Sequence, residues 1–141
     1  MNLSGHRVYL DANTVIYAVE GLPGFASLKA GLLVPLDAGA FVAVTSELTL
    51  IETITGPRKA GKPNDEAAFR KFLTPSASLI MPPLTLPTIE KVIELRAQFG
   101  FKTPDAIHLA TGILAGCDLF VTGDNAWSRA GATVVDSADI G

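Results

Sequence analysis

The sequence predicts a single α/β domain with three layers, in which a mostly parallel central sheet is flanked by helices, and two observations support this. Short apolar runs rich in β-branched and aromatic residues alternate with stretches whose apolar residues recur at helical spacing. Strands that alternate with helices lie parallel and are covered on both faces. The 141 residues suffice for one core, and no linker or internal repeat divides them, so we expect one domain over residues 1–141.

The first part of the chain predicts two strands with helices between them. An apolar run at residues 8–10 stops at Asp11, and residues 13–20 then carry apolar side chains at helical spacing. A second helix is expected over residues 25–36, where leucines recur along one face. The β-favouring run at residues 41–44 predicts the second strand.

The middle of the chain continues this alternation. Thr45 or Ser46 is expected to cap a third helix, which contains Glu52, because a hydroxyl at a helix start accepts an N–H of the first turn. A fourth helix is predicted over residues 64–73, and a third strand over residues 79–81 ends before two prolines.

The last part of the chain contains the clearest helix signal. Residues 87–99 predict a fifth helix. The sixth is expected to begin with Thr103 as its cap and Pro104 in its first turn, followed by an apolar stripe that packs on the sheet. Runs at residues 119–122 and 133–135 predict the last two strands.

Composition limits the classes of function. Hydrophobic residues make up 48% of the chain, which excludes a disordered protein, yet no apolar run reaches the ~20 residues that cross a bilayer. Residues 1–7 carry no export signal, so we expect a cytoplasmic protein without membrane contact. Cys117 is the only cysteine, which excludes an internal disulfide and a cysteine-rich zinc site.

The net charge of -3 argues against a protein that coats nucleic acid, since phosphate binding normally needs a basic surface. Carboxylates that hold a divalent ion are neutralised by it, however, and do not count as surface charge. Basic residues also concentrate after Gly56 and Pro57, where Arg58, Lys59 and Lys62 form a candidate loop for contacts with an RNA backbone. An ordinary solvated loop and helix face explains the same residues.

Four carboxylates are predicted to meet at one edge of the sheet. Asp11 and Asp124 follow strands. Asp105 lies in the first turn of a helix, and Glu52 lies in the helix after the second strand. Ligands of parallel sheets bind beyond the carboxyl ends of the strands, at a switch in strand order. Crowded carboxylates repel one another, so a divalent cation is their natural partner, and oxygen-only ligation favours Mg²⁺ or Mn²⁺ and phosphodiester hydrolysis.

Each acid also has an ordinary structural explanation. Asp11 and Asp105 suit helix N-termini, where a carboxylate accepts backbone N–H groups. Asp124 suits a turn, and Glu52 suits a solvated helix face. The coincidence of all four at topologically matching places favours the functional interpretation.

The sequence around these acids resembles PIN domains. Four segments match the successive motifs of that family in order and spacing, namely residues 9–13, 45–52, 103–110 and 121–124. The resemblance covers nearly the whole chain and is strongest to the VapC-type toxins of bacterial and archaeal toxin–antitoxin modules. It implies a metal-dependent endoribonuclease that acts on RNA, commonly as a homodimer, and is inhibited by a cognate antitoxin that inserts a segment near the acidic pocket.

The resemblance also implies a role for each matching residue. The catalytic residues it implies are Asp11, Glu52, Asp105 and Asp124. The implied ligands of Mg²⁺ or Mn²⁺ are Asp11, Asp105 and Asp124, with Asn13 and Thr122 as supporting polar residues.

Three features leave alternatives open. Glu47 lies just after its strand and competes for the acidic role in the second motif. Gly123 stands where many relatives carry a bulkier residue, and Trp127 fills the place of a later aromatic residue. His108 shares a helix face with Asp105 and either orients the site or is a hydrogen-bonded residue at the edge of the core.

Other classes of function fit the sequence less well. A PIN-like module that has lost catalysis would keep the fold and bind only RNA or a protein. A phosphatase that forms a phospho-aspartate needs a second aspartate two residues after the first, where this chain has Asn13. A phosphate-accepting signalling domain needs an acidic pair before its aspartate and a lysine after a late strand, which this sequence lacks.

Overall fold

The computed structural model describes residues 1–140 as a five-stranded sheet between two layers of helices. The strands are β1 (Arg7–Leu10), β2 (Val42–Val44), β3 (Leu79–Ile80), β4 (Leu119–Val121) and β5 (Val134–Val135). The helices are α1 (Ala12–Glu20), α2 (Val34–Asp37), α3 (Leu48–Lys59), α4 (Pro63–Phe72), α5 (Leu86–Phe99) and α6 (Thr103–Leu114), with 3₁₀ turns at Asn125–Ala130 and Ser137–Asp139. Within the described residues, no helix is both long and apolar enough to cross a membrane.

The strand order is β3-β2-β1-β4-β5, and every neighbouring pair is parallel. The chain builds outward from β1 to β3 and then returns to add β4 and β5 on the other side. The strand order therefore switches between β1 and β4, where Leu10 pairs with Val121. This arrangement confirms the predicted parallel α/β fold and sets the ends of β1 and β4 side by side.

Alternating side chains of β1 contribute to the core on both faces of the sheet. Val8 and Leu10 are fully buried in the layer that contains α1, where they join Val15. Tyr9 is buried on the opposite face, in the layer of α5 and α6, where Leu109 packs. The three predicted layers are thus confirmed, and β1 is buried on both sides.

The helix predicted over residues 25–36 is shorter and irregular. A π-helical turn at Lys29–Leu33 precedes α2. Pro35 has no N–H to donate to the carbonyl of Gly31, so the regular ladder is interrupted, and Val34 donates five residues back instead. The leucines of the predicted apolar face are nevertheless buried.

The loop predicted after Gly56 and Pro57 is shorter than expected, because α3 continues through both residues and only residues 60–62, with Lys62, separate it from α4. Pro57 lies near the end of the helix, where its missing N–H removes a single bond from the ladder. The N–H of Ala60 donates to the carbonyl of Gly56 at 3.0 Å and completes the last turn. Arg58 and Lys59 therefore lie on a helix end and not in a loop.

The predicted helix caps give a mixed outcome. Of the two candidates at α3, Ser46 accepts the N–H of the first helical residue at 3.0 Å, whereas Thr45 donates its hydroxyl to β1. The predicted cap of α6 is wrong, since Lys102 precedes the helix and Thr103 is its first residue, without a side-chain cap. Pro104 in the first turn has no N–H to satisfy, which reduces the need for a cap.

Gly112 in the middle of α6 allows this helix to pack closely on the sheet. A Cβ at this position would lie 2.3 Å from Cε2 of Phe120 and 3.0 Å from Cδ2 of Tyr9, and both rings are buried. We expect Gly112→Ala to lower the free energy of unfolding by about 1–3 kcal/mol through overpacking. A Gly→Ala change inside a helix otherwise raises it by about 1 kcal/mol.

The matched control is Gly56→Ala in α3, where a Cβ would meet open space. We expect this change to raise the free energy of unfolding by about 0.5–1 kcal/mol. Urea unfolding midpoints measure both effects. A Gly112→Ala protein as stable as the unchanged chain would contradict the close contact between helix and sheet.

Candidate active site

Asp11 is fixed at the carboxyl end of β1 by two neighbouring elements. It is the N-cap of α1, where its Oδ1 accepts the N–H of Thr14 at 2.7 Å. Its Oδ2 accepts the hydroxyl of Thr122, just beyond β4, at 2.6 Å. The predicted capping role of Asp11 is therefore confirmed, and the same bonds hold the carboxylate at the predicted edge of the sheet.

A cavity of about 160 Å³ lies at this edge. Three of the four predicted acids line it, namely Asp11, Glu52 and Asp105. The polar and aromatic residues that line it with them are Asn13, His108 and Trp127. The fold thus brings together acids that follow β1, lie on α3 and begin α6.

Asp124 lies beside this cavity without lining it. Its side chain begins the 3₁₀ turn Asn125–Ala130, where Oδ1 accepts the N–H of Ala126 at 2.9 Å. Its own N–H donates to Oγ1 of Thr122 at 3.0 Å. Because the Thr122 hydroxyl also donates to Asp11, one side chain bridges the two acids that follow β1 and β4.

Asp105 experiences the electrostatic cost of this arrangement. Burial raises the pKa of its carboxyl above the ordinary value, and the negative charges of Asp124 and, more weakly, Glu52 raise it further. His108 and the indole N–H of Trp127 act in the opposite direction and lower this pKa. Burial and the neighbouring acids therefore disfavour the charged form of Asp105.

Glu52 is held by a buried histidine. The Oε1 atom of Glu52 lies 2.6 Å from Nε2 of His108, whose Nδ1 lies 2.5 Å from the hydroxyl of Tyr9. His108 is 3% exposed and Tyr9 is fully buried. His108 thus combines both sequence interpretations, since it is hydrogen-bonded in the core and contacts a predicted catalytic acid.

Tyr9 is the residue of this group that the sequence analysis missed. A tyrosine within a strand buried on both faces needs a partner for its hydroxyl, and that requirement was the available signal. The sequence did not indicate which of the distant polar residues would supply the partner.

The competing Glu47 lies elsewhere. Its Oε1 accepts the N–H of Leu84, in the segment before α5, at 2.9 Å. It does not line the cavity, so the fold brings Glu52 and not Glu47 to the other acids. Asn13, predicted as a supporting polar residue, lines the cavity and is exposed.

The predicted RNA-contact residues differ in how their charges are paired. Arg58 contacts Glu66 through Nη2 at 2.7 Å and through Nε at 3.0 Å, and Arg70 contacts the same carboxylate at 3.0 Å. Hydrogen bonds from the Arg58 guanidinium, and to a smaller extent from that of Arg70, lower the pKa of the Glu66 carboxyl to about 2. Lys59 and Lys62 are exposed and form no ion pair within residues 1–140.

The chemical type of the donor atoms around the cavity suits a hard divalent cation. They are carboxylate oxygens, because no cysteine lines the cavity and both ring nitrogens of His108 already have partners. Within residues 1–140, no three Asp, Glu, His or Cys side chains are arranged to hold a metal ion as they stand. Mg²⁺ usually keeps several of its waters and is held by one or two carboxylates, so the cavity suits an ion that is bound partly through water.

Comparisons with solved structures find several chains of similar fold. One similar structure is VapBC2 from Rickettsia felis, bound to a promoter DNA fragment. The two sequences are 18% identical, the match covers 92% of this chain and 98% of that chain, and the TM-score is 0.74. Another is a toxin–antitoxin complex from Klebsiella pneumoniae, with 23% identity, coverage of 92% and 97%, and a TM-score of 0.70.

A third similar structure is VapC20 from Mycobacterium tuberculosis, described as a toxin that cleaves the sarcin–ricin loop. It has 23% identity, coverage of 92% of this chain and 98% of that chain, and a TM-score of 0.64. A comparison with curated proteins finds no match. At these identities the structural likenesses show a shared fold.

The sequence itself identifies the family, since the model of the PIN domain matches residues 8–132. This match spans β1 to the segment before β5 and includes all four predicted acids. The chain therefore belongs to the PIN domain family.

Proposed function

We propose that the protein is a metal-dependent endoribonuclease, the toxin of a type II toxin–antitoxin module, which hydrolyses RNA phosphodiester bonds with Mg²⁺ or Mn²⁺. The main support is one cavity lined by Asp11, Glu52 and Asp105 at the strand-order switch of a PIN domain. An acidic, oxygen-only site at this edge suits phosphodiester hydrolysis and offers no nucleophilic cysteine.

In this proposal Asp11, Asp105 and Asp124 hold the metal ion, and Glu52 is the fourth catalytic acid. A bound Mg²⁺ or Mn²⁺ would supply Lewis-acid stabilisation of the phosphate and acidify a water nucleophile. Thr122 contributes by fixing the Asp11 carboxylate and the backbone of Asp124, at 2.6 and 3.0 Å. Fixing the ligands before substrate binds reduces the reorganisation that the reaction requires.

RNA is the proposed substrate because one relative of the same fold, VapC20, is described as cleaving the sarcin–ricin loop. An antitoxin is the proposed partner because several similar structures are complexes of a toxin with its antitoxin. By the same reasoning from family resemblance, we propose that the chain is a single domain over residues 1–141, forms a homodimer and acts in the cytoplasm.

A second candidate is a PIN module that binds RNA or a protein without cleaving it. The absence, within residues 1–140, of three metal-ligating side chains in a ready arrangement favours this alternative. The four acids at the switch point favour the nuclease, because a binding module gains nothing from neighbouring carboxylates that raise the pKa of Asp105.

The nuclease proposal predicts metal-dependent cleavage that two single substitutions abolish. Purified protein should cleave total cellular RNA with Mg²⁺ or Mn²⁺ and not with EDTA. Asp11→Asn and Asp105→Asn should each lower the cleavage rate about 100-fold or more, because each removes one negative charge from the cavity. Asp37→Asn, an exposed acid at the end of α2 that does not line the cavity, is the matched control. Cleavage that persists in EDTA would refute the proposal.

Metal binding can be measured separately from activity, because Trp127 is the only tryptophan and lines the cavity. Titration with paramagnetic Mn²⁺ should quench its fluorescence to saturation, and Mg²⁺ should compete. Asp11→Asn and Asp105→Asn should weaken the apparent affinity for Mn²⁺ at least about tenfold, since each removes a carboxylate ligand. Tryptophan emission that Mn²⁺ leaves unchanged would show that the ion does not bind at these acids.

The proposed binding of RNA by the basic segment predicts a change in salt dependence. Lys59→Ala with Lys62→Ala should reduce the slope of log affinity against log salt by about 0.7 for each phosphate that is no longer neutralised, measured on single-stranded RNA with an Asp11→Asn background. Arg58→Ala should have a smaller effect, because Arg58 is paired with Glu66. Lys91→Ala in α5, where Lys91 pairs with Glu94, is the control. An unchanged slope in the double variant would exclude this segment.

A further inference from the structure

Three buried or half-buried side chains form a continuous hydrogen-bonded chain behind the cavity. The hydroxyl of Tyr9 lies 2.5 Å from Nδ1 of His108, and Nε2 of His108 lies 2.6 Å from Oε1 of Glu52. Tyr9 is fully buried, His108 is 3% exposed, and the Glu52 side chain is 33% exposed. The chain therefore runs from the core of the sheet to the edge of the acidic cavity.

The chemistry of this chain fixes the tautomer of His108. The Glu52 carboxylate only accepts hydrogen bonds, so Nε2 of His108 carries the ring proton and donates it to Oε1. In the neutral ring the other nitrogen, Nδ1, is then unprotonated. The Tyr9 hydroxyl lies at Nδ1 and favours the same tautomer when it donates its proton there.

Aromatic packing fixes the orientation of the imidazole ring. The His108 ring stacks on Trp127, with 6.1 Å between ring centroids and an interplanar angle of 23°. Tyr9 packs edge-on against His108, with 5.7 Å between their ring centroids. A flip of the imidazole would exchange its donor and acceptor nitrogens and leave both hydrogen-bond partners wrongly matched.

These three hydrogen-bonded side chains also link the elements that position three of the four acids. Tyr9 lies on β1, two residues before Asp11. His108 lies on α6, one helical turn after Asp105, and Glu52 lies on α3. A carboxylate on a flexible side chain needs such a partner to take up a single position, because several rotamers are otherwise open to it.

We propose that His108 is a positioning residue for Glu52, with Tyr9 selecting the Nε2–H tautomer that holds Oε1 of Glu52 and leaves Oε2 free for the acidic cavity. The inference rests on the proposed nuclease function for its kinetic consequence, whereas the tautomer and the bond to Glu52 can be tested without cleavage. An arrangement of this kind resembles the outer-shell groups that orient catalytic carboxylates in other sites.

The kinetic test compares substitutions that remove or keep the donor. His108→Ala should lower kcat for RNA cleavage about 10–100-fold with little change in KM, since Glu52 loses its fixed position. His108→Gln should recover most of this loss, because its amide nitrogen can donate near the place of Nε2. The kcat of Tyr9→Phe should lie between those of His108→Ala and His108→Gln. His6→Gln, which changes a half-buried histidine paired with Asp118, is the control. Thermal unfolding confirms that each variant is folded.

A spectroscopic test reads the tautomer directly. The chain has two histidines, so ¹⁵N-labelled His6→Gln protein reports on His108 alone. Its ring nitrogens at neutral pH should show a protonated Nε2 and an unprotonated Nδ1, and Tyr9→Phe should shift the Nδ1 signal, because this nitrogen loses the hydroxyl that donates to it. A protonated Nδ1 in the unchanged site, or the same spectrum after Tyr9→Phe, would overturn the selection by Tyr9.

The two tests separate the possible failures. If the unchanged protein does not cleave RNA with either metal, the proposed function fails, and the nitrogen spectra alone decide whether His108 is held as inferred. If it cleaves RNA and folded His108→Ala keeps the full kcat, or His108→Gln is no better than His108→Ala, the positioning role is wrong while the nuclease stands.

Discussion

Repulsion among the carboxylates gathered at one edge of the sheet is the constraint that the rest of the site must meet. The pKa of Asp105 is raised by burial and by the charges of Asp124 and Glu52, so the cluster carries a free-energy cost in the folded protein. The fold offsets this cost with hydrogen-bond donors placed at individual oxygens. Asp11 receives an N–H from the first turn of α1 and a hydroxyl from Thr122. These neutral donors stabilise negative charge without adding a positive charge that would compete with a metal ion.

The sheet topology explains why these donors are available at that place. β1 and β4 are neighbours although more than a hundred residues separate them in the chain, so the residues that follow them meet at the strand-order switch. Thr122 can bridge Asp11 and Asp124 only because this pairing is parallel and in this register. The close approach at Gly112 packs α6, which carries Asp105 in its first turn, tightly against the sheet. Core packing and site geometry therefore depend on the same contacts.

Local patterns in the sequence were sufficient for most of the fold and for the approximate position of the acids. Asp11 could be placed because a strand pattern ends at it, and Asp105 because Pro104 marks the beginning of a helix. The irregular turn before Pro35 and the continuation of α3 through Pro57 could not be predicted, because a proline signals a break without stating its position.

Contacts between residues that are distant in the chain were the second feature that the sequence could not predict. Whether Glu47 or Glu52 serves the cavity depends on the direction in which α3 leaves β2, which spacing alone does not fix. The structure resolves the geometry by pairing Glu47 with the backbone of Leu84 and Glu52 with His108. The partner of Tyr9 was equally out of reach, since it lies 99 residues away in the sequence. Polar side chains that follow strands can be predicted to converge, whereas the donors that orient them depend on the assembled fold.

Trp127 shows how the cavity differs from the core behind it. Its ring packs against Tyr9, Phe120 and His108 as a core residue does. Its buried indole N–H is near enough to lower the pKa of Asp105, yet it has no partner at hydrogen-bond geometry within residues 1–140. A buried donor without an acceptor costs about 1–3 kcal/mol, and such a cost is uncommon in a region that only serves stability. The cost is recovered if an acceptor approaches this edge, either the carboxylate of Asp105 as the acids draw together or an oxygen of a bound ligand. An unsatisfied donor beside clustered carboxylates therefore supports the proposal that a ligand with acceptor oxygens completes this site.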